Sequence, residues 1–461
     1  MKLKLHRDFI KLGSITLFSL LCYACDDFLT IDPPVKEVAR RTVYTDDGSA
    51  TSAIVGIYSK MMETSAFAGF HIGYFSSLSS DELTLILSDE GSDQFSQNAL
   101  ISTNPLLMGS FWEPGYRYIW FANSAIEGLT NSTRLSQDVK QQLLGEAKFI
   151  RAFCHFYLTN LFGDIPYITS TDYRINAVAP KILQADVYTK IIQDLTEAQS
   201  SILNDYVTDE KIRPNRSAVT AFLARVYLYA EDWSNSEAEA TRVIDDSRYT
   251  LETDFNNVFL ADSKEAVWQL TSVIPGTNTF EGSIYITNGS NGGLKLSDDL
   301  INSFEAGDDR FDQLIKHRAA SDTYYPFKYK ISASGQPVTE YNMVFRLAEL
   351  FLIRAEARAQ NNNLTGINSA ESDLNAVRNR AGLMNTTAVT QEEFIDAILQ
   401  ERRVELFTEW GHRWFDLKRT NRADVVLEPL KPDWHSTDVL YPIPLSELNK
   451  NKNLLPQNEG Y

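Results

Sequence analysis

The feature that most constrains this chain is a run of apolar residues within positions 141–167. The run repeats at steps of three and four, the spacing that places side chains on one face of a helix. Its members are Leu143, Ala147, Ile150, Cys154, Tyr157, Leu158 and Leu161, with Phe149, Phe153 and Phe156 widening the stripe. A helix that is apolar over so much of its surface must be packed on several sides. The pattern therefore predicts the structural central helix of a large helical domain, ended by Gly163 and Pro166.

Charge and composition exclude some classes of partner. The 461-residue chain has a formal net charge of −18, whereas a surface that binds nucleic acid or an anionic membrane needs a basic footprint. Apolar residues make up 43% of the chain and charged residues 23%, the proportions of a globular protein with a full core. Cys22, Cys25 and Cys154 are the only cysteines, so we expect no disulfide framework, and the core must supply the stability.

The first residues are typical of a processing signal. Basic residues precede an apolar run over 12–24 that is too short to span a bilayer as a helix. Ala24 followed by Cys25 resembles the cleavage box of a bacterial lipoprotein, although Cys22 and Tyr23 depart from the usual box. We predict a signal peptide over 1–24 and a lipid on Cys25. An ordinary secretory signal that is cut nearby is the alternative.

Helical hairpins are predicted further along the chain. The first joins residues 213–233 to a second helix that ends near 244, and the second joins 345–359 to 369–380. Their length approximates the ~34-residue tetratricopeptide period. The tryptophan of that repeat is missing, however, and a generic helical hairpin would look similar. Residues 392–418 predict one last long helix.

The remaining segments predict less regular structure. Residues 251–340 lack the hydrophobic period of a helix, and the apolar run at 266–273 within them predicts a short strand. Residues 91–109 are rich in Ser, Asn and Gln and predict a long loop, a kind of segment that is often functional. Turn formers alternate with aromatic residues over 275–293, which also predicts loop structure. Residues 81–86 predict a short helix.

Several distinctive blocks occur in one order along the chain. They include Cys25-Asp-Asp-Phe-Leu, Gly145-Glu-Ala-Lys-Phe-Ile-Arg-Ala, Leu161-Phe-Gly-Asp-Ile-Pro and Tyr441-Pro-Ile-Pro. Further blocks lie at 217–229, 345–357, 374–382, 401–407, 412–419 and 457–461. In this order the blocks resemble the SusD/RagB family of outer-membrane nutrient-binding lipoproteins. No single block is decisive, but the ordered set covers nearly the whole mature chain and is highly specific.

The resemblance implies a fold and a division of the chain. The expected fold is mainly α, a tetratricopeptide-like scaffold of helical pairs arranged as an α-α superhelix, with an irregular subdomain of loops and short strands. Residues 25–461 would form a single domain, with an N-terminal helical part at 25–250, a variable subdomain at 251–340 and a C-terminal helical part at 341–461.

The resemblance also implies a function. Family members are lipid-anchored at the cell surface on the outer membrane, bind oligo- or polysaccharides, and deliver them to a SusC-like, TonB-dependent transporter. Some branches bind peptides instead, so a peptide ligand is one alternative. A scaffold lipoprotein that docks other surface proteins is a second. The family implies no cofactor.

Candidate ligand-binding residues come from the two predicted loops. Binding a sugar without reacting it requires flat aromatic faces, with amides and carboxylates for the hydroxyls. The segments 91–104 and 275–293 have that composition, although no motif fixes individual residues. The candidates are Phe95, Gln97, Asn98, Asn104, Phe280, Tyr285, Asn288 and Asn291. Trp112, Trp120 and Trp414 lie on helical faces and are predicted to be core residues.

Nothing in the sequence favours an enzyme. The six histidines are scattered, and His-Glu-x-x-His, Gly-x-Ser-x-Gly and phosphate-binding glycine loops are absent. The acidic pairs Asp298-Asp299 and Asp308-Asp309 could be imagined as glycosidase carboxylates. Such pairs arise by chance among 61 acidic residues, and we predict a solvated surface role for them. No catalytic residue and no metal site are therefore expected, and a degradative surface enzyme is the weakest alternative.

Overall fold

A computed structural model describes residues 43–461, so the predicted signal peptide and Cys25 lie outside the described residues. The helices of the first half are α1 (Asp47–Met61), α2 (His71–Ser79), α3 (Glu90–Gln97), α4 (Glu113–Asn131), α5 (Gln137–Phe162), α6 (Tyr173–Asn176), α7 (Gln184–Ser201), α8 (Arg216–Tyr229) and α9 (Trp233–Ile244). Those of the second half are α10 (Phe280–Asn291), α11 (Asp298–Asn302), α12 (Asp309–Leu314), α13 (Leu347–Gln360), α14 (Ala370–Arg380), α15 (Gln391–Glu405), α16 (His412–Arg419), α17 (Ala423–Leu427) and α18 (Leu445–Lys450). The strands are β1 (Leu83–Leu85), β2 (Ala266–Leu270), β3 (Leu294–Leu296), β4 (Ile315–Arg318), β5 (Thr323–Pro326) and β6 (Asn342–Arg346).

The central helix is confirmed as α5, which is buried along most of its length. Its Phe149 ring meets Trp268 of β2 edge to face, with 4.8 Å between the ring centroids. Gly145 allows α7 to approach closely, because a Cβ at this position would lie 2.5 Å from Cγ1 of Ile202. Gly163 ends the helix at a φ of 74°, which a residue with a side chain rarely adopts. The sequence pattern therefore predicted both the helix and its end correctly.

The predicted helical hairpins are also confirmed. α8 and α9 form the first pair, and α13 and α14 form the second. Each helix packs on the next in the order α4, α5, α7, α8, α9, α13, with α14 and α15 both packed on α13. The fold is thus mainly α, with tetratricopeptide-like helical pairs.

A buried ion pair links three parts of this array. Arg225 of α8 donates two hydrogen bonds to the Glu349 carboxylate of α13, both at 2.6 Å, and each side chain is only 2% exposed. A third donor of Arg225, Nη1, lies 2.9 Å from the Tyr157 hydroxyl of α5. Nη2 also donates to the Val344 carbonyl of β6. The planar guanidinium satisfies several acceptors in one fixed geometry, so it joins α5, α8 and α13.

The strands of the described region form three two-stranded antiparallel sheets, which pair β1 with β3, β2 with β6, and β4 with β5. The strand predicted at 266–273 is confirmed as β2. The helix predicted at 81–86 is wrong, because Leu83–Leu85 pairs with Leu294–Leu296. A run this short has no period of its own that distinguishes a helix from a strand, so its distant partner decides the conformation.

Two segments predicted as loops contain helices instead. Asp89 begins α3 by accepting a hydrogen bond from the Ser92 backbone N–H, and Thr279 begins α10 by accepting one from Gly282. Asn98 and Gly292 end these helices in the left-handed conformation. The Ser, Asn, Thr and Gly residues that indicated loops act here as helix caps.

Two further predictions are corrected. The last helix is broken into α15 and α16, and Thr408, Trp410 and Gly411 between them have positive φ values of 58°, 46° and 74°. Asp308 is not solvated, because its carboxylate is buried against the Arg310 guanidinium at 2.8 Å. Asp298, Asp299 and Asp309 are exposed, as predicted.

Within residues 43–461 we find no helix that combines the length and the apolar character needed to cross a bilayer.

Replacing Arg225 by Met should destabilise the protein strongly, because Glu349 would keep a buried charge without its cation. We expect the free energy of unfolding in urea to fall by about 3–5 kcal/mol. The matched control is Lys60→Met, which breaks the exposed Lys60–Glu63 pair and should cost at most about 1 kcal/mol. Equal losses in the two variants would contradict a structural role for the Arg225–Glu349 pair.

Candidate functional site

The two segments that supplied the predicted ligand-binding residues meet at one surface, because β1 pairs with β3. Leu83 lies opposite Leu296, and Leu85 lies opposite Leu294. Beyond the strands, the backbone N–H of Ile86 donates to the Gly293 carbonyl at 2.9 Å. This pairing joins the strand that precedes α3 to the strand that follows α10, and we call the area around it the β1–β3 surface.

Three of the four candidates in the first segment lie in the interior. Phe95 is fully buried between Phe75 and Tyr441, at ring-centroid distances of 4.5 Å and 5.2 Å. The side chain of Asn98 accepts a hydrogen bond from Lys431 Nζ at 2.7 Å. Asn104 is also buried, and its amide donates to the Gly91 carbonyl at 3.0 Å. These side chains hold the segment closed and have no free face for a ligand.

The exposed candidates are Gln97, Asn288 and Asn291. Tyr285 is buried against Phe70, with 5.1 Å between the ring centroids, and Phe280 is half-buried at the start of α10. The β1–β3 surface therefore offers amides from the predicted set but no fully exposed aromatic ring.

An aromatic groove that the sequence analysis did not identify lies elsewhere, between α4, the segment 166–177 and α18. It has a volume of about 540 Å³, which is in the size range of small-ligand sites. The residues lining it are Met108, Trp112, Glu113, Tyr116, Arg117, Trp120, Pro166, Ile168, Thr171, Tyr173, Asn176, Ala177, Glu447, Lys450, Asn451 and Leu454.

Two exposed rings distinguish this groove. Trp120 is 43% exposed and Tyr173 is 77% exposed. No other Phe, Tyr or Trp among the described residues is exposed to that degree. The prediction that Trp120 is a core residue is therefore wrong, whereas it is confirmed for Trp112 and Trp414, which are buried.

A sequence signal for the groove exists in α4. Trp112, which directly precedes α4, is spaced by four residues from Tyr116 and Tyr116 by four from Trp120, which places the three on one side of a helix. A second apolar face carries the buried Tyr118, Ile119, Ala122, Ala125 and Leu129. A surface helix needs only one apolar face for the core. The sequence therefore indicates that one of the two apolar faces is not needed for the core, but it does not identify which face.

The central helix holds one wall of the groove in place. The His155 Nε2 of α5 accepts a hydrogen bond from the Ile168 backbone N–H at 3.1 Å. Its ring stacks on Tyr167 with 3.9 Å between centroids. Burial lowers the pKa of His155 to about 3, so the imidazole is neutral and its Nδ1–H faces the Arg151 carbonyl at 2.9 Å. Asn123 of α4 donates to the Ile168 carbonyl at 2.9 Å.

The opposite wall is fixed by side-chain to backbone contacts. The Asn451 amide donates to the Ala179 carbonyl, and the Asn453 amide donates to the Val178 carbonyl, both at 2.7 Å. Across the floor, the Tyr116 hydroxyl donates to the Pro166 carbonyl at 3.0 Å. These contacts hold the groove open as a preformed cleft.

Two carboxyl groups with raised pKa values lie near the elements of the β1–β3 surface, Glu281 in the first turn of α10 and Glu82 just before β1. Oε1 of Glu281 accepts a hydrogen bond from Asn342 at 2.5 Å, whereas its Oε2 has no partner among the described residues. Burial raises the pKa of Glu281 to about 8 and that of Glu82 to about 7. Both groups are therefore held close to the point of ionisation near neutral pH.

Residues 43–461 contain no group of three or more His, Cys, Asp and Glu side chains arranged to hold a metal ion.

Two family models match the sequence. One, described as the SusD family, matches residues 312–461, and the other, described as starch-binding and associating with the outer membrane, matches residues 71–228. Among curated relatives, SusD-like protein P2 of Formosa agariphila is 28% identical over 93% of this chain and 95% of its own length.

Solved structures share the fold. A SusD superfamily protein from Bacteroides vulgatus superposes with a TM-score of 0.79 at 21% identity, covering 90% of this chain and 99% of its own. Surface glycan-binding protein A from Bacteroides thetaiotaomicron, in complex with laminarihexaose, gives a TM-score of 0.76 at 20% identity. It covers 90% of this chain and 100% of its own.

Replacing Glu281 by Gln should make stability less dependent on pH. The raised pKa means that the native state binds a proton more tightly than the unfolded chain. The stabilisation is therefore complete below about pH 4.5 and is lost as the pH rises through 8. The free energy of unfolding of the native chain should fall as the pH rises from 5 to 8. We expect this fall to be roughly 3 kcal/mol larger than in Glu281→Gln, since each pH unit in this range changes the contribution of Glu281 by about 1.4 kcal/mol.

Urea unfolding at the two pH values measures this difference. Glu428→Gln, at an exposed position, is the control and should keep the native pH dependence. The same pH dependence in Glu281→Gln and in the native chain would contradict a raised pKa for Glu281.

Proposed function

The chain belongs to the SusD/RagB family, and on that premise we propose that it binds an oligo- or polysaccharide at the cell surface. We further propose that it presents the glycan to a SusC-like, TonB-dependent transporter in the outer membrane. The observation that carries the proposal is that Trp120 and Tyr173, the most exposed aromatic rings of the described residues, line one preformed groove.

Sugar binding explains why such rings would be left in water. An exposed Trp or Tyr ring is unfavourable to hydrate, and a pyranose ring can cover it with its C–H face while its hydroxyls remain hydrated. The starch-binding description of one family model and the laminarihexaose complex of a structural neighbour support the glycan class. The mechanism is capture by affinity followed by transfer, with no covalent step.

The β1–β3 surface remains a second proposed contact region. Gln97, Asn288 and Asn291 are exposed there, and their amides can donate to and accept from sugar hydroxyls. Without an exposed ring, this surface would add hydrogen bonds and specificity rather than most of the binding energy.

A peptide ligand is the second candidate. The apolar part of the groove lining favours a peptide, since the half-buried Met108 and the exposed Ala177 could contact apolar side chains. Binding of a peptide library with no binding of oligosaccharides would replace the glycan proposal. A scaffold lipoprotein would bind neither kind of ligand.

Replacing Trp120 by Ala should weaken glycan binding. Loss of one stacking ring should raise the Kd for oligosaccharides by about fivefold to tenfold, since an aromatic contact is worth roughly 1 to 1.4 kcal/mol. Calorimetry against a panel of hexasaccharides measures the change, and product analysis after long incubation should show intact sugar. The control is Ile367→Ala, which removes an exposed apolar side chain outside the groove and should leave the Kd unchanged.

Lipid attachment to Cys25 is proposed as the anchor. Radiolabelled palmitate should label the native chain, and Cys25→Ala should abolish the label and move the protein out of the membrane fraction, because the anchor supplies the attachment. A large outer-membrane transporter should co-purify with the native chain. Unlabelled native protein, or native protein in the cytosol, would contradict the proposed location.

A further inference from the structure

The charged side chains of the aromatic groove neutralise one another. Four of its lining residues carry charge, two cations and two anions. Arg117 Nη1 lies 3.1 Å from Glu113 Oε1, and Lys450 Nζ lies 2.7 Å from Glu447 Oε1. Each cation is thus already paired with a carboxylate from its own helix, and the net charge of the groove is zero.

The neutral polar groups are mostly engaged as well. The Asn176 amide donates to the Ser170 carbonyl at 2.8 Å, and the Asn451 amide donates to Ala179. Tyr116 donates to Pro166, as described above. In contrast, the Tyr173 hydroxyl makes no hydrogen bond within the described residues. The aromatic groove therefore presents ring faces and a few hydrogen-bonding groups, but no unpaired cation.

From this arrangement we propose that the aromatic groove selects neutral glycans over glycans that carry uronate or sulfate groups. The inference rests on the proposed function and specifies the class of glycan. A neutral pyranose can stack its C–H face on Trp120 and Tyr173 without disturbing either ion pair.

An anionic glycan would meet two costs in the same groove. Its carboxylate or sulfate would lose water without gaining a cation, or it would have to displace Glu113 or Glu447 from its partner. The chain is also strongly acidic, with a net charge of −18. This charge repels a polyanion at distances up to the ~8 Å screening length at physiological salt.

The experiment compares neutral and anionic hexasaccharides by calorimetry at 150 mM salt. Laminarihexaose and xylohexaose are the neutral probes, and hexagalacturonate and a sulfated carrageenan hexasaccharide are the anionic probes. We expect the neutral probes to bind at least about tenfold more tightly than the anionic ones, a difference of about 1.4 kcal/mol.

A charge-unpairing variant tests the cause of the selectivity. Glu447→Gln leaves the Lys450 ammonium at the groove without its partner, and the ratio of neutral to anionic affinity should fall at least threefold. Glu428→Gln removes the same charge from an exposed position outside the groove. It controls for the change in net charge and should leave the ratio as in the native chain.

The outcomes separate this inference from the proposed function. If the anionic probes bind tightly and Trp120→Ala abolishes this binding, the proposed selectivity is wrong, whereas the proposed glycan binding is supported. Neutral binding that Trp120→Ala does not weaken overturns the inference, because the ligand then lies outside the aromatic groove. Failure of all four probes, with peptides bound instead, overturns both. An equal fall of the affinity ratio in the Glu447 and Glu428 variants would show that net charge, rather than pairing in the groove, sets the preference.

Discussion

The structure depends on the burial of α5 along most of its length, although this helix carries polar groups as well as apolar ones. Glu146 is fully buried and accepts two hydrogen bonds from Arg213, at 2.5 Å and 3.1 Å. Arg151 makes a bidentate pair with Asp194, at 2.7 Å and 2.6 Å. A buried charge without its partner costs several kcal/mol. The neighbours of α5 must therefore lie where they can supply these partners, and this requirement fixes their positions as much as apolar packing does.

The need to satisfy the buried polar groups of α5 also determines the structure of the aromatic groove. His155 belongs to α5, and within residues 43–461 the donor it meets from outside the helix is the Ile168 N–H in the groove wall. Arg151 of α5 also donates to Asn123 at 2.9 Å, and Asn123 holds the Ile168 carbonyl. Satisfying the buried polar groups of the central helix thus fixes the wall against which a ligand would lie. A wall held this way loses little conformational freedom on binding.

Secondary structure was predicted correctly for the long helical segments and less well for the short ones. The periods in α5, α8, α9, α13 and α14 extend over several turns, and all of these helices were predicted. The helices α3 and α10 were missed because their composition is that of turns. Each has a single aromatic residue buried in the core, Phe95 or Tyr285, and contact with distant rings stabilises the helix. Such contacts join residues far apart in the chain, so no local pattern reports them.

The candidate site was predicted only in part. The sequence by itself determined the helical scaffold and its central helix, because periods that extend over several turns act locally. It could not determine which of two apolar faces of α4 is covered. Tyr118 and Trp120 are both large aromatic residues two positions apart, yet one is fully buried and the other is 43% exposed. Only the tertiary structure decided this, because exposure depends on which other elements pack against each face.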